Sequence, residues 1–214
     1  MSNLTWGTVL DIAEKKLSDE GNDQWSQAEL LRLGAQTLRK IIALVPESYI
    51  IVENIRLISG TKQMVPADCI DIVRPIRNMA TTGTTASSAI TFGDLDVMRQ
   101  CYPDFASDTS TGVVQNVMRA DEQGRFYVYP PNDGTQQIEV EMSKVPPLPA
   151  YDAAGDWEVE TIPLSDRYAS AIVDGILYMA FDDDTDLSGN AAKAEIHYKR
   201  FLQILGVTKE EDSK

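Results

Sequence analysis

Two sets of residues in this chain have the types that chemistry needs. Cys101 and the single histidine, His197, could act as a thiol nucleophile and its general base. No motif joins them, and His197 falls on or near the apolar stripe of a helical pattern, where a packed or capping histidine is the plainer reading. The second set is the run DDDTDLSG, whose Asp182, Asp184 and Asp186 alternate as ligands do in a calcium loop. An EF-hand would then place glycine sixth and glutamate twelfth, where Leu187 and Lys193 stand instead. A solvated loop is the first reading of the run, and a contact with a basic neighbouring subunit the second. Paired carboxylates for glycoside hydrolysis are available in so acidic a chain, but without the setting of exposed aromatics and glycines that such sites use. G-x-G-x-x-G, the P-loop and G-x-S-x-G are absent. Cys69 and Cys101 form no CxxC pair, so a reducing compartment is expected.

The formal net charge of −14 disfavours binding to nucleic acid through ion pairs. The charge is uneven. Between Ala150 and Asn190 the acids are Asp152, Asp156, Glu158, Glu160, Asp166, Asp174, Asp182, Asp183, Asp184 and Asp186, and Arg167 is the only base. Such a stretch either solubilises the chain or forms an acidic wall against a basic partner or a passing polyanion. Acids at the end of a helix also oppose its dipole, so something other than local helix stability has placed Asp182 to Asp184. No apolar run approaches the length of a membrane span, and MSNLTWGTVLDIAEKK lacks the apolar core of a signal peptide. Synthesis in a cytoplasm, with no membrane partner, is the expectation.

The elements that must position these residues fall into three blocks. In the first, Leu4, Val9, Ile12, Ala13 and Leu17 recur at helical spacing, predicting a helix to about Ser18. After the DEGND loop, WSQAEL offers Ser26 with Glu29 as a capping box and Trp25 with Leu30 as a hydrophobic staple. A second helix should bury Leu30, Leu31, Ala35, Leu38, Ile41, Ile42 and Val45, and stop at Pro46.

The second block is rich in β-branched residues. YIIVENIRLI, KQMVP and CIDIVRPIRNM read as strands separated by SGT and PAD turns, with Pro66 and Pro75 at edges or strand ends. FGDLDVMRQCYP predicts a short helix capped by Asp94 and closed off by Pro103. VVQNVMRA, GRFYVYP and QQIEVEMSKV read as a meander joined by DEQ and PNDG. Pro130–Pro131 and Pro146–Pro147 should end its strands, because proline donates nothing to a ladder. The stretch PPLP reads as a stiff linker, or else as a polyproline ligand.

The third block is helical again. LSDRYASAIVDGILYMAF places Tyr168, Ala171, Ile172, Ile176, Leu177, Met179 and Ala180 in helical register. AAKAEIHYKRFLQIL follows, with Ala194, Tyr198, Phe201, Leu202 and Leu205 inward and Gly206 as the terminating glycine. The expected fold class is therefore α+β: an antiparallel four-helix bundle made by the N- and C-terminal helix pairs, with an inserted antiparallel β-domain. The expected boundaries are 1–46 with 162–207 for the bundle, 47–149 for the β-rich domain, 150–161 for a linker and 208–214 for a flexible tail.

Four stretches, in order along the chain, carry a family likeness. QWSQAELLRLGAQTLRKI is similar to an opening helix of the bacteriophage head-to-tail adaptors, the connector or gatekeeper family of the tail tubular protein A type. ISGTKQMVPADCIDIVRPIRN resembles their GT-Q-LP hairpin and following strand, and RFYVYPPNDGTQQIEVEMSKVPP their F-x-V-x-P-P ribbon. IPLSDRYASAIVDGILYMAFDDDTD with AAKAEIHYKRFLQILG resembles their closing helix pair.

The resemblance implies a structural, non-enzymatic virion protein without cofactor or metal. Its members line up, usually as twelve copies, beneath the portal protein, join it to the tail nozzle or tail fibre proteins, and keep packaged DNA from leaking. Double-stranded DNA would pass through the channel without specific binding. On that reading Asp182, Asp183, Asp184 and Asp186 are candidates to face the channel lumen or a basic portal surface. In a head-to-tail ring, Arg32, Arg39, Lys193, Lys199 and Arg200 are the candidate inter-subunit basic flank. The tail of Thr208, Lys209, Glu210, Glu211, Asp212, Ser213 and Lys214 is, by similarity, a candidate portal-docking segment that orders on contact. Two other readings stand beside this one: another tail-completion or fibre-attachment subunit of a phage, and a small acidic hydrolase.

Overall fold

The computed structural model describes residues 4–207 except 81, 121, 123, 153 and 185–188. The chain divides into two compact units, residues 1–48 with 146–214, and residues 49–145. Along the described residues the order opens with α1 (Trp6–Leu17), α2 (Gln27–Leu44), β1 (Ile50–Arg56), β2 (Gly60–Met64), β3 (Cys69–Met79), β4 (Ala86–Ala89) and β5 (Thr91–Gly93). It continues with α3 (Leu95–Cys101), β6 (Asn116–Arg119), β7 (Arg125–Asn132), β8 (Gln137–Lys144), α4 (Ala169–Asp183) and α5 (Asn190–Ile204). None of these helices is long and apolar enough to cross a membrane.

In the first unit local chemistry sets the helix ends. The Thr5 side chain accepts from the Thr8 amide at 3.3 Å and starts α1, which closes on Ser18 in the left-handed region. Asp19 then organises the turn into α2: its carboxylate accepts from the amides of Asp23 at 2.9 Å, Gln24 at 3.2 Å and Trp25 at 2.7 Å. Ser26 caps α2 by accepting from the Glu29 amide at 3.3 Å, and the staple residues Trp25 and Leu30 are buried beside it. Ile12, expected inside, is exposed, while Leu33, Gly34 and Thr37 widen the buried arc of α2 beyond the predicted set. At the far end, Gly206 adopts φ 72° after α5, the left-handed conformation that terminating glycines supply.

The four-helix bundle with an inserted antiparallel β-domain is corrected by this structure. The described residues form five α-helices and two four-stranded sheets, a mixed α+β fold. The physical reason lies in α4. A bundle shares its core among amphipathic helices, each apolar on one face. α4 is apolar nearly all round, burying Ala171, Ile172, Val173, Asp174, Gly175, Ile176, Leu177 and Ala180, and it packs against α1, α2 and α5 at once. It is therefore a central helix with the others laid around it.

The second unit holds two sheets of order β1-β8-β3-β4 and β2-β7-β6-β5. Alternate residues of both, including Ile55, Ile72, Val117, Phe126, Val128, Ile138, Val140 and Met142, meet in one core. Here too the sequence reading needs correcting. β6 and β7 pair antiparallel, but β8 leaves them for the other sheet, between β1 and β3, so the expected meander is split. β2 pairs with β7 and not with β3, and β5 pairs with β6 in parallel. Nor do Pro130 and Pro131 end β7, which runs on to Asn132. Their carbonyl side is still usable, and Pro131 O accepts from the Thr111 amide at 2.8 Å. Pro75 sits where β3 is paired on one side only, since β4 reaches β3 just at Arg77 and Met79.

Two buried amides fix this unit. The Gln63 side chain accepts from the Ile58 amide at 2.8 Å and donates to the carbonyls of Ile58 and Gly60, each at 2.9 Å, closing the turn into β2. Asn78 donates to Val114 O at 2.7 Å and accepts from the Val114 amide at 2.8 Å, tying β3 to the segment before β6.

Candidate functional site

Cys101 and His197 belong to different compact units. Cys101 is exposed on α3 in the β-rich unit. His197, on α5 in the helical unit, holds Asp174 of α4 through its Nδ1 at 2.8 Å and stacks on Phe181 with ring centroids 5.8 Å apart. It is a packed histidine joining two helices. The other thiol is held in its protonated form: burial, with Asp71 next, pushes Cys69 up to about 11. No group of three or more metal-ligating side chains forms among the described residues.

The acidic run has different duties along its length. Asp182 and Asp183 end α4 and are exposed, with Asp183 Oδ2 at 3.7 Å from Arg32 Nη2. Asp184 is half-buried, and its Oδ2 accepts from Gln24 Nε2 at 2.7 Å and Asn190 Nδ2 at 2.8 Å. One carboxylate thus ties the turn before α2 to the start of α5, which accounts for an acid at an unfavourable helix end. Asp186 and the tail from Thr208 to Lys214 lie outside the described residues.

The predicted basic flank splits between two helices. Arg32 and Arg39 are exposed on α2. A third cation there, Lys40, was missed: one residue beyond Arg39 it sits about 100° further round the helix, so spacing set it apart from the flank. Its Nζ lies 4.7 Å above the Tyr178 ring and 5.5 Å above that of Tyr198, so it is drawn into a cation–π cluster between α2, α4 and α5. Burial, with Asp182 next, pushes the Tyr178 hydroxyl above its ordinary range. On α5, Lys193 lies over Phe181 at 4.9 Å, Lys199 pairs with Glu195 at 2.7 Å, and Arg200 is exposed.

A second charged feature had no periodicity to reveal it. Residues Asp156–Val159 form a single 3-10 turn anchored by the buried indole of Trp157. The Asp152 carboxylate accepts from the amides of Ala154 at 2.9 Å and Gly155 at 2.8 Å, closing the approach. The exit is pinned to α1, where the Trp6 amide donates to Glu160 O at 3.1 Å and the Ile162 amide to Leu4 O at 2.8 Å. The turn is therefore held rigid while Asp156, Glu158, Val159 and Glu160 stay exposed.

In the β-rich unit a cleft of about 390 Å³ lies beside Phe92, Asp94, Leu95, Asp96 and Arg119. Among the described residues its cation is committed to structure: Arg119 Nη2 pairs with Asp71 Oδ2 at 3.1 Å and donates to Ile72 O at 3.0 Å. What the molecule presents is charged surface on rigid supports. The family model described as SU10 adaptor protein matches residues 5–214. No curated protein matches the chain.

Proposed function

This chain belongs to the SU10 adaptor protein family, a phage head-to-tail adaptor family, and from that premise we propose that it is the ring subunit joining a portal to the tail. The observation that carries the reading is the span of the match, which takes in both compact units. As an adaptor the chain is a phage virion component that works by contact with other virion proteins. In the finer reading it sits at the head–tail junction, usually as twelve copies, links the portal to the nozzle or fibres, and closes the DNA exit channel. It does no chemistry of its own.

The charge supports this work. A channel wall of net negative charge repels phosphate, so DNA slides without sticking. Asp182 and Asp183 are exposed at the end of α4 and are the leading candidates for a lumen or portal contact, with Asp184 and Asp186 completing the run. Arg32, Arg39, Lys193, Lys199 and Arg200 would face acids of a neighbouring copy, and the segment from Thr208 to Lys214 would order on the portal. Substituting lysine at Asp182 and Asp183 tests the assignment. Weakened portal docking or leakage of packaged DNA is expected, and unchanged docking with unchanged retention removes these residues from the site.

A further inference from the structure

Two exposed features of the helical unit are mirror images in chemistry. On the outer side of α5, Ile196 is 51% exposed, and residues three or four positions away along the helix surround it with the cations Lys193, Lys199 and Arg200. On the rigid 3-10 turn, Val159 is 76% exposed between Glu158 and Glu160. One is an apolar residue among cations, the other an apolar residue between acids. An aliphatic side chain this exposed on a pinned turn is not there to build the core, since Trp157 already anchors the segment.

The turn rides on α1 and α5 rides on α4; the extensive helix contacts join α1 to α4 and α4 to α5, but not α1 to α5. Arg200 has no ion pair among the described residues. Two complementary patches on different elements of one unit are what a head-to-tail contact between identical copies requires. We propose that the α5 face around Ile196 receives the Glu158–Val159–Glu160 turn of the next copy. Val159 and Ile196 form its apolar centre, with carboxylates and cations around them. The contact rests on the ring reading above and names the surfaces that join its subunits.

Charge exchange between two variants tests it. One carries Lys193→Glu with Arg200→Glu, the other Glu158→Lys with Glu160→Lys; all four side chains are exposed. The full-length chains are followed by native mass spectrometry, alone and with purified portal protein. Each variant by itself should associate about 10–100-fold more weakly than the parent chain. An equimolar mixture should recover, because each reversed cationic face then meets a reversed turn, and an even-numbered ring closes with the two alternating. If the parent chain assembles and the variants assemble equally well, or the mixture fails to recover, this contact is wrong and the ring reading stands. If the parent chain assembles neither alone nor on the portal, the ring reading falls and the contact with it.

Discussion

Gly175 of α4 lies directly against Thr37 of α2, so closely that a Cβ at position 175 would overlap Thr37 Cγ2 and come within 2.9 Å of its Oγ1. A glycine in mid-helix costs about 1 kcal/mol against alanine, and here it is retained because the two helices have no room for a methyl group. Gly34 plays the same part toward α1, where a Cβ would meet Trp6 Cζ3 at 2.6 Å. Gly175→Ala should destabilise the helical unit by about 1–3 kcal/mol despite its better propensity. Adding Thr37→Ala should restore part of the loss. Thermal unfolding of the single and double variants checks both, and equal losses in the two would argue against a steric cause.

Asn78 should prove as costly in the other unit. Asn78→Ala leaves both the amide and the carbonyl of Val114 without their partner in a buried setting, a loss of about 2–4 kcal/mol for the two groups together. Chemical denaturation followed by Trp-independent circular dichroism reports it, as the three tryptophans at positions 6, 25 and 157 all lie outside the β-rich unit.

Asp19 and Glu14 should respond to pH in opposite senses. Burial raises the Asp19 carboxyl, but the amides of Trp25, Gln24 and Asp23 outweigh it and hold the group below its ordinary value. A depressed folded-state pKa contributes stability that is complete above the unfolded value and is lost as pH falls through the folded one. Glu14 is raised, by burial first and then by Asp11 and Asp19, so its ionisation costs stability as pH climbs through its range. Asp19→Asn should therefore destabilise the chain at pH 7 and flatten the acid limb of its stability profile. Glu14→Gln should stabilise it at pH 7. Unfolding midpoints between about pH 3 and pH 7 decide the signs, the window being set by ordinary carboxyl values.

Lys144 provides a check on the alkaline side. Burial works against its charge, but bonds to Glu53 and Asp68 prevail and hold the ammonium above its ordinary value. That contribution is complete below the unfolded lysine value and is lost only as pH rises through the folded one, so it is present in full at neutral pH. Lys144→Met should lower stability at pH 7, because Glu53 and Asp68 are left facing each other without the cation. A variant as stable as the parent would show that the trio contributes nothing net.

Features encoded within a few residues were legible in the sequence. Ser26 with Trp25 and Leu30, Asp94 before α3, and Gly206 after α5 stand where spacing placed them, because caps and staples depend only on near neighbours. Strand partnership was not legible. β7 and β8 are separated by a short turn that reads as a hairpin, yet their partners are chosen by which faces close over Phe126 and Ile138 in the shared core. The central role of α4 was written in ASAIVDGILYMAF, whose lack of a polar face marks a helix packed on several sides. Of the charged surfaces, the composition revealed the sign but not the support. Asp183 and Asp184 read alike in sequence, but only folding turns one outward and ties the other to Gln24 and Asn190.

The central claim is that this adaptor closes into a ring on a portal, and cryo-electron microscopy of the chain mixed with a candidate portal protein addresses that claim most directly. The account predicts a closed ring of copies seated coaxially on the portal, with the charged faces of adjoining helical units in contact around an open channel. Particles in which the portal remains bare at saturating adaptor concentration, or carries isolated copies that never meet, would contradict it.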